Sequence, residues 1–332
     1  MFTPPSAAPK TPDAERCSFA DDAEYYLSLT PRQLPSRYFY DGVGSALFEA
    51  ICRLPWYGIT RTEQCLLELH GRAILARAGR LATLVELGPG AGAKLAALVS
   101  AHAGARARGG TGARLAVHLV DVSQTALDAA RRALGEYPQV SVEPLQTTYE
   151  AGLAELARRP RPAGRTMVLC LGSNLGNFDP PDAEAFLRLI RAALGPGDSL
   201  LVGVDLVKPE RELLLAYDDP LGVTAAFNLN LLVRANLELA ADFDLSGFAH
   251  RALWNPAAER VEMHLVSKKR QRVRLPAAGG LDITFDEGET IWTESSYKYR
   301  PQGIATLLDR SGFGVAEQWI ADGFALTLGE AH

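Results

Sequence analysis

A glycine-rich turn between an apolar run and a helical pattern constrains the fold of this chain more than any other feature. The run TLVEL leads into GPGAGAK and then into LAALVSAHA, so a short buried strand is predicted to pass through the turn into a helix. Further apolar runs alternate with helical patterns as far as residue 212. This alternation predicts an α/β fold with a doubly wound, mostly parallel, Rossmann-like sheet.

Two segments of different composition flank the predicted sheet. Residues 18–58 are rich in aromatic side chains, and residues 213–294 alternate between apolar and polar side chains as antiparallel strands do. We predict that these two segments form a smaller α+β substrate-binding domain. The core domain then comprises residues 59–212 and 295–332. Residues 1–17, rich in Pro and Ala, are predicted to be a flexible N-terminus.

The charge balance and the scattered metal-binding residue types narrow the classes of partner. The net charge is -5 at pH 7, which gives the whole protein no attraction to nucleic acid or to an anionic membrane. No apolar run is long enough to span a bilayer, and the first residues lack the order of a signal peptide. The 4 cysteines and 6 histidines show no metal-ligand spacing. We expect a cytoplasmic monomer that binds a small molecule and no metal.

The glycine turn is a candidate cofactor site. Gly88, Gly90 and Gly92 directly follow the predicted strand, where glycine lets backbone N–H groups approach a ligand closely. Glu86 precedes them, and its carboxylate favours a ligand with positive charge and hydroxyls, such as S-adenosylmethionine, over a pyrophosphate. Asp121 ends the next predicted strand, where acidic residues bind ribose hydroxyls. The glycines do not match GxGxxG and no GK[ST] follows, which excludes a P-loop and disfavours a dinucleotide site.

A second polar segment, LGSNLGNF at residues 171–178, follows the fourth predicted strand. Ligands of such sheets bind at this rim, so Asn177 is a candidate substrate ligand, with a turn-forming asparagine as the structural alternative. Transfer of a methyl group to an amine requires an aligned, unprotonated nitrogen but no metal and no covalent intermediate. The lack of an evident nucleophile in the sequence is therefore compatible with methyl transfer.

These motifs belong to a longer pattern that extends over nearly the whole chain. It comprises RYFYDGVGSALFEAICRLPWY, LVELGPGAGAK, VDVS, LGSNLGNF, AYDDPLGVTAAFNLNLL, VEMHL and WTESSYKY. In these stretches the chain resembles the histidine Nα-methyltransferases of the ergothioneine pathway, which convert histidine into its trimethylated betaine, hercynine. The resemblance implies a class I methyltransferase core, S-adenosylmethionine as the cofactor, and a substrate site between the two domains.

The resemblance also implies roles for side chains at the amino acid's backbone end. Tyr40 and Tyr57 match tyrosines that bind this end, and Tyr217 matches a further tyrosine at the carboxylate. Asn177 matches the asparagine that contacts the α-amino group, so Asn177 and Tyr40 are the catalytic candidates. The candidate cofactor-binding residues are Glu86, Gly88, Gly90, Gly92, Lys94 and Asp121.

At the side-chain end, the resemblance assigns Glu294 and Ser296 to the imidazole ring and Met263 to its pocket. A carboxylate and a hydroxyl can pair with both imidazole nitrogens, one of which donates and the other accepts. Indole has one N–H donor and no acceptor, so it is a poorer partner for the same pair. The sequence therefore favours histidine as the substrate.

The chain departs from the family pattern in two places. The family has LPEYYPTR where this chain has LPWYGITR at residues 54–61, so that Trp56 replaces an acid beside Tyr57. Residues 146–149 lack the acid that holds the adenine amino group in the family. Tryptophan, arginine or another free amino acid is therefore the alternative substrate. Alternatives of another class are a nicotinamide-dependent oxidoreductase and a non-catalytic binder of S-adenosylmethionine.

Overall fold

The computed structural model describes residues 18–106, 114–161 and 163–332, so the predicted flexible segment 1–17 lies outside the described residues. The helices are α1 (Phe19–Leu27), α2 (Gly42–Ile51), α3 (Gly58–Ala78), α4 (Ala93–Arg106), α5 (Gln124–Leu134), α6 (Tyr149–Arg158), α7 (Pro180–Ala193), α8 (Glu210–Tyr217), α9 (Val223–Glu238) and α10 (Pro301–Arg310). Short 3-10 helices span Ser36–Phe39, Asn174–Asn177 and Leu245–Gly247.

The strands alternate with helices in the middle of the chain and follow one another closely between α9 and α10. They are β1 (Arg32–Gln33), β2 (Leu81–Leu87), β3 (Leu115–Asp121), β4 (Val140–Gln146), β5 (Arg165–Cys170), β6 (Ser199–Asp205), β7 (Phe248–Asn255), β8 (Arg260–Ser267), β9 (Gln271–Leu275), β10 (Leu281–Phe285), β11 (Thr290–Tyr297), β12 (Phe313–Ala321) and β13 (Phe324–Ala331).

The central sheet has the order β12-β13-β6-β5-β2-β3-β4. Strands β2 to β6 pair in parallel, whereas β13 runs antiparallel to both β6 and β12. Every residue of β6 is buried, as expected for a strand whose two faces are both covered by helices. The predicted doubly wound, mostly parallel α/β sheet is confirmed. The strand order reverses between β2 and β5, which places the carboxyl ends of these two strands at the crevice where such sheets bind ligands.

A second sheet, of order β1-β11-β8-β7, contains the predicted antiparallel strands, and β9 and β10 form a separate hairpin. The aromatic N-terminal segment packs against it, because β1 pairs with β11 and the ring of Phe39 lies 4.6 Å from that of Phe227 in α9. The rings of Tyr40 and Phe48 join the same aromatic cluster. Strand β11 is continuous through residues 290–297, so the predicted domain boundary at residue 294 falls inside a strand.

The described helices show no sign of a membrane span. Within the described part of the chain, none combines the length and the apolar character that crossing a bilayer requires. The same residues include no cluster of His, Cys, Asp or Glu side chains suited to a metal ion.

Candidate active site

Glu86 lies next to the end of β2 and is 1% exposed. Its Oε2 atom has no hydrogen-bond partner among the residues that the structure describes. Burial raises the pKa of Glu86 to about 8, although the nearby Lys94 acts to lower it. The side chain is therefore mostly protonated at neutral pH. An unpartnered, buried carboxyl group beside a glycine turn is a natural site for a positively charged ligand group.

The glycine turn after Glu86 adopts a backbone conformation that favours glycine. Gly88, Gly90 and Gly92 all have positive φ angles. A Cβ atom added at Gly88 would lie 2.5 Å from the Tyr149 hydroxyl and 2.9 Å from the amide nitrogen of Asn174. These two polar side chains therefore lie directly against the turn.

Gly92 and Gly90 offer a matched test of the turn. A Cβ atom at Gly92 would lie 2.7 Å from the backbone of Ala130, whereas one at Gly90 would meet nothing within 4 Å. Both substitutions to alanine place a side chain on a residue with left-handed backbone, which costs about 1–2 kcal/mol of stability. Only Gly92→Ala also overpacks the structure, which costs about 1–3 kcal/mol more. We expect Gly92→Ala to lower the free energy of unfolding, measured by urea denaturation, clearly more than Gly90→Ala. Equal losses would contradict this packing.

Lys94, in the first turn of α4, is tied to a carboxylate that the sequence did not single out. Its Nζ atom lies 2.6 Å from Glu63 Oε2, and Glu63 accepts the Gly172 N–H with both oxygens, at 2.9 and 2.8 Å. Glu63 is fully buried and lies against Gly203 of β6, where a Cβ atom would be 1.9 Å from its Oε1 atom. Burial acts to lower the pKa of Lys94, but Glu63 raises it above its usual value. Glu63 thus connects Lys94, in the helix after the glycine turn, to Gly172, in the loop after β5.

Asp121 ends β3 at the same edge of the sheet. Its Oδ1 atom accepts the Ser123 N–H at 2.8 Å, which orients the carboxylate. Burial raises its pKa, and hydrogen bonds from the following backbone N–H groups oppose this shift. The structure therefore brings the predicted Glu86, Gly88 and Asp121 to the carboxyl ends of neighbouring strands.

A cluster of polar side chains lies where β11 and α8 meet. The hydroxyls of Tyr217 and Ser296 are 2.8 Å apart, and Lys298 donates to both, at 2.8 and 2.9 Å. The same ammonium lies 3.1 Å from Asp205 Oδ2, while Lys208 lies 2.6 Å from the other oxygen of Asp205. Two predicted substrate residues are thus held by Lys298, which sequence reasoning missed.

Glu294 is half-buried on β11 and lies within electrostatic range of the predicted tyrosines. Burial raises the pKa of Glu294 to about 7, and Lys298 acts to lower it. Burial is also the first cause, and the charge of Glu294 a further one, of the raised pKa values of Tyr40, Tyr57 and Tyr217. The rings of Tyr57 and Tyr217 lie 6.3 Å apart. The structure therefore gathers the three predicted tyrosines around the Glu294 carboxylate.

Met263 lies opposite Glu294 across the β8–β11 pair. A register shift between Trp292 and Glu294 interrupts the ladder there, and the Thr293 hydroxyl donates to the Met263 carbonyl at 3.0 Å. Met263 is 2% exposed. The predicted pocket residue is thus a buried neighbour of the predicted imidazole partner.

Asn177 ends the 3-10 helix after β5, and its side chain is exposed. Among the described residues its amide has no hydrogen-bond partner, so it is open to a ligand, and its role stays a prediction. Asn174, three residues earlier, is the asparagine whose side chain lies against both Gly88 and Gly172. The sequence did not distinguish these two asparagines by their positions.

Three residues that depart from the family pattern, Trp56, Gly58 and Ile59, line one cavity. A cavity of about 590 Å³ is bounded by the following residues, among others: Trp56, Gly58, Ile59, Arg61, Leu213 and Lys208. Tyr57 is not among its lining residues and faces Tyr217 instead. The substitutions at Trp56 and its neighbours therefore leave the tyrosine cluster in place.

Two of the residues that sequence reasoning missed are buried charges, and only one of them has a signal in the sequence. Glu63 and Lys298 are charged residues that the structure buries, and charges without partners are rarely fully buried. Lys298 also follows Glu294 and Ser296 at a spacing of two, which places all three on one face of an extended chain. The polar alternation in TESSYK could therefore have pointed to Lys298.

A sequence profile for a family of methyltransferases, described as histidine-specific and S-adenosylmethionine-dependent, matches residues 19–330. The chain belongs to this family. This membership decides against the nicotinamide-dependent oxidoreductase, and it identifies the protein as an N-methyltransferase that uses S-adenosylmethionine. The central sheet is therefore its class I methyltransferase core.

Two relatives are similar over nearly the full length of this methyltransferase. The histidine N-alpha-methyltransferase of Mycobacterium tuberculosis is 42% identical over 323 residues, which cover 95% of this chain and 96% of that protein. The enzyme of the same name from Mycolicibacterium smegmatis is 41% identical, over 92% of this chain and 93% of that protein. Ergothioneine biosynthesis protein 1 of Neurospora crassa is 28% identical, over 79% of this chain and 31% of that much longer protein.

Proposed function

We propose that this methyltransferase transfers methyl groups from S-adenosylmethionine to the α-amino nitrogen of free L-histidine, with hercynine as the final product. The observation that most supports this substrate is the position of Glu294 and Ser296 on one face of β11, beside the Tyr217 hydroxyl. A carboxylate and a hydroxyl there can satisfy both imidazole nitrogens. The names of the two mycobacterial relatives support the same substrate.

The residues around the glycine turn fit the cofactor. Glu86 has an unpartnered buried oxygen for a positively charged group, and Asp121 lies at the strand end where carboxylates bind ribose hydroxyls. Lys94 carries an ammonium that suits the cofactor's carboxylate. The cofactor supplies the methyl group on its sulfonium. We propose that it is held by Glu86, Gly88, Gly90, Gly92, Lys94 and Asp121.

The chain's own contribution to methyl transfer is to hold and orient the amine. The pKa values of Tyr40, Tyr57 and Tyr217 are raised, so these phenols stay protonated and act as hydrogen-bonding groups rather than as bases. A free α-amine has a pKa of about 8, so an unprotonated fraction exists at neutral pH. We propose that Tyr40 and Asn177 align this nitrogen with the methyl group. Holding the two reacting atoms in line lowers the activation barrier, because little orientational entropy is then lost in the reaction step.

The wider organisation is part of the same proposal. Pairing of β1 with β11 supports a substrate-binding domain of residues 18–58 and 213–294, beside a core of residues 59–212 and 295–332. We propose that the protein acts as a cytoplasmic monomer in ergothioneine biosynthesis, without a nucleic acid or membrane partner. The Neurospora relative, named for that pathway, supports this context.

The test is a calorimetric titration with each of the twenty amino acids, in the presence of S-adenosylhomocysteine, followed by mass spectrometry of turnover. We expect histidine to bind and to gain one to three methyl groups with S-adenosylmethionine. Binding and methylation of tryptophan or arginine instead would keep the reaction but contradict the substrate. Binding of no amino acid would contradict the proposal.

A further inference from the structure

Lys298 is a fully buried ammonium with three acceptors around it. Its side chain is 0% exposed, and it reaches Asp205, Tyr217 and Ser296 at 3.1, 2.8 and 2.9 Å. Burial acts to lower its pKa, but Tyr217 and Asp205 raise it, so the group stays charged. An ammonium has three N–H donors, and each has an acceptor here. Lys298 therefore has no donor left for a substrate.

The bonds of Lys298 determine what the two hydroxyls can offer. Together Tyr217 and Ser296 carry two hydrogens and four lone pairs. The bond between them uses one hydrogen and one lone pair, and Lys298 uses one lone pair on each oxygen. One hydrogen and one lone pair remain, whichever hydroxyl donates to the other. The ammonium repels a hydroxyl hydrogen from its own side, so the remaining hydrogen is directed away from Lys298.

We propose that Lys298, held by Asp205, is a positioning residue that sets substrate specificity by forcing the Tyr217–Ser296 pair to present one hydrogen towards the substrate side chain. This inference rests on the proposed function, since it explains why a histidine site rejects other amino acids. Lys298 and Asp205 then influence specificity without touching the substrate, because they act through the Tyr217–Ser296 pair.

The chemistry of the candidate substrates fits this restriction. Neutral imidazole has one N–H for the Glu294 carboxylate and one lone pair for the directed hydrogen. Indole and guanidinium carry donors and no acceptor, so either ring would leave the hydroxyl hydrogen buried and unpaired. An unpaired buried donor is costly, and a site built around one discriminates strongly against the ligand that lacks its partner.

The test compares Lys298→Met with Lys208→Met. Both variants remove an ammonium from Asp205, but Lys208 touches Asp205 through the other oxygen and is not bonded to either hydroxyl. Binding of histidine and of pyrrolylalanine is measured calorimetrically with S-adenosylhomocysteine present. Pyrrolylalanine keeps a ring N–H but lacks the second ring nitrogen, so it cannot accept the hydroxyl hydrogen.

We expect the wild type to bind histidine more tightly than pyrrolylalanine by about 10-fold or more. Lys298→Met should remove most of this preference, because the hydrogen can then turn into the space that the ammonium left. Lys208→Met should keep the preference, and all three proteins should bind S-adenosylhomocysteine equally. An unchanged preference in Lys298→Met would overturn the inference.

Two further outcomes are decisive. If Lys298→Met does not fold, the wild type alone decides, because equal binding of the two amino acids would mean that no hydroxyl hydrogen has to be satisfied. If the wild type does not bind histidine, the proposed function fails, and the inference fails with it. Binding of histidine by the wild type with no loss of preference in Lys298→Met overturns only the inference.

Discussion

Replacing Glu294 by alanine is expected to weaken histidine binding by about 10- to 150-fold, because a hydrogen bond to a charged group contributes about 1.5–3 kcal/mol. The affinity for S-adenosylhomocysteine should not change, since Glu86 lies on another strand, β2, and the glycine turn directly follows that strand. Calorimetry of both ligands measures this difference. Glu289→Ala is the matched control, because Glu289 precedes the same strand but pairs with Arg32 at 2.8 Å.

The stability of the Glu294 variant gives an independent check. The pKa of Glu294 is raised from 4.5 to about 7, so the folded state holds a proton that the unfolded state has lost. The free energy of unfolding therefore falls as the pH rises from about 4.5 to 7. Glu294→Ala should remove this part of the slope, and urea denaturation across that range measures it. Loss of both ligands together with loss of stability at all pH values would contradict a binding role.

Cofactor binding at pH 7 is expected to release up to about one proton from Glu86. Burial raises the pKa of this carboxyl to about 8, so it enters the reaction protonated. A positively charged amino group beside its unpartnered oxygen would favour the ionised form and expel the proton. Titration of S-adenosylhomocysteine in buffers of different ionisation enthalpy counts the protons. Glu86→Gln should abolish the release and weaken binding.

Two controls make this result specific. Methylthioadenosine lacks the amino acid end, so its binding should release no proton from Glu86. At a pH well above 8 the wild type should release none either, because Glu86 is then already ionised. If the Glu86→Gln variant still releases a proton on binding S-adenosylhomocysteine, the proton comes from another group. That result would contradict the assignment of Glu86 to the cofactor.

Sequence patterns were a good guide wherever a property repeats along the chain. Apolar runs separated by helices predicted β2 to β6, and period-two alternation predicted the strands of the second sheet. Glu86 and Asp121 were singled out because each is a lone acid at the end of an apolar run, and their role in cofactor binding stays a prediction. The patterns did not find Glu63. It lies inside helix α3, where nothing in the periodic pattern distinguishes it from the neighbouring residues.

Contacts between residues that are far apart in the sequence could not be predicted from such repeating patterns. Lys298 meets Asp205 and Tyr217 only because β6, α8 and the end of β11 converge. Residues up to 93 positions apart in the sequence then belong to one network of hydrogen bonds and ion pairs. No local propensity encodes such a meeting, because it depends on how two sheets are placed in space. Asn174 and Asn177 likewise have similar sequence surroundings, but Asn174 is partly buried and Asn177 is exposed.

The sequence by itself determined the fold class and the family and predicted a cofactor crevice, because hydrophobic period, glycine position and strand-end charge are local properties. Only the tertiary structure decided which charges are buried and which hydrogen bonds they complete. Burial and pairing depend on all surrounding segments at once, and they set the pKa values of Glu86 and Glu294 and the hydrogen-bond partners of the hydroxyls at Ser296 and Tyr217.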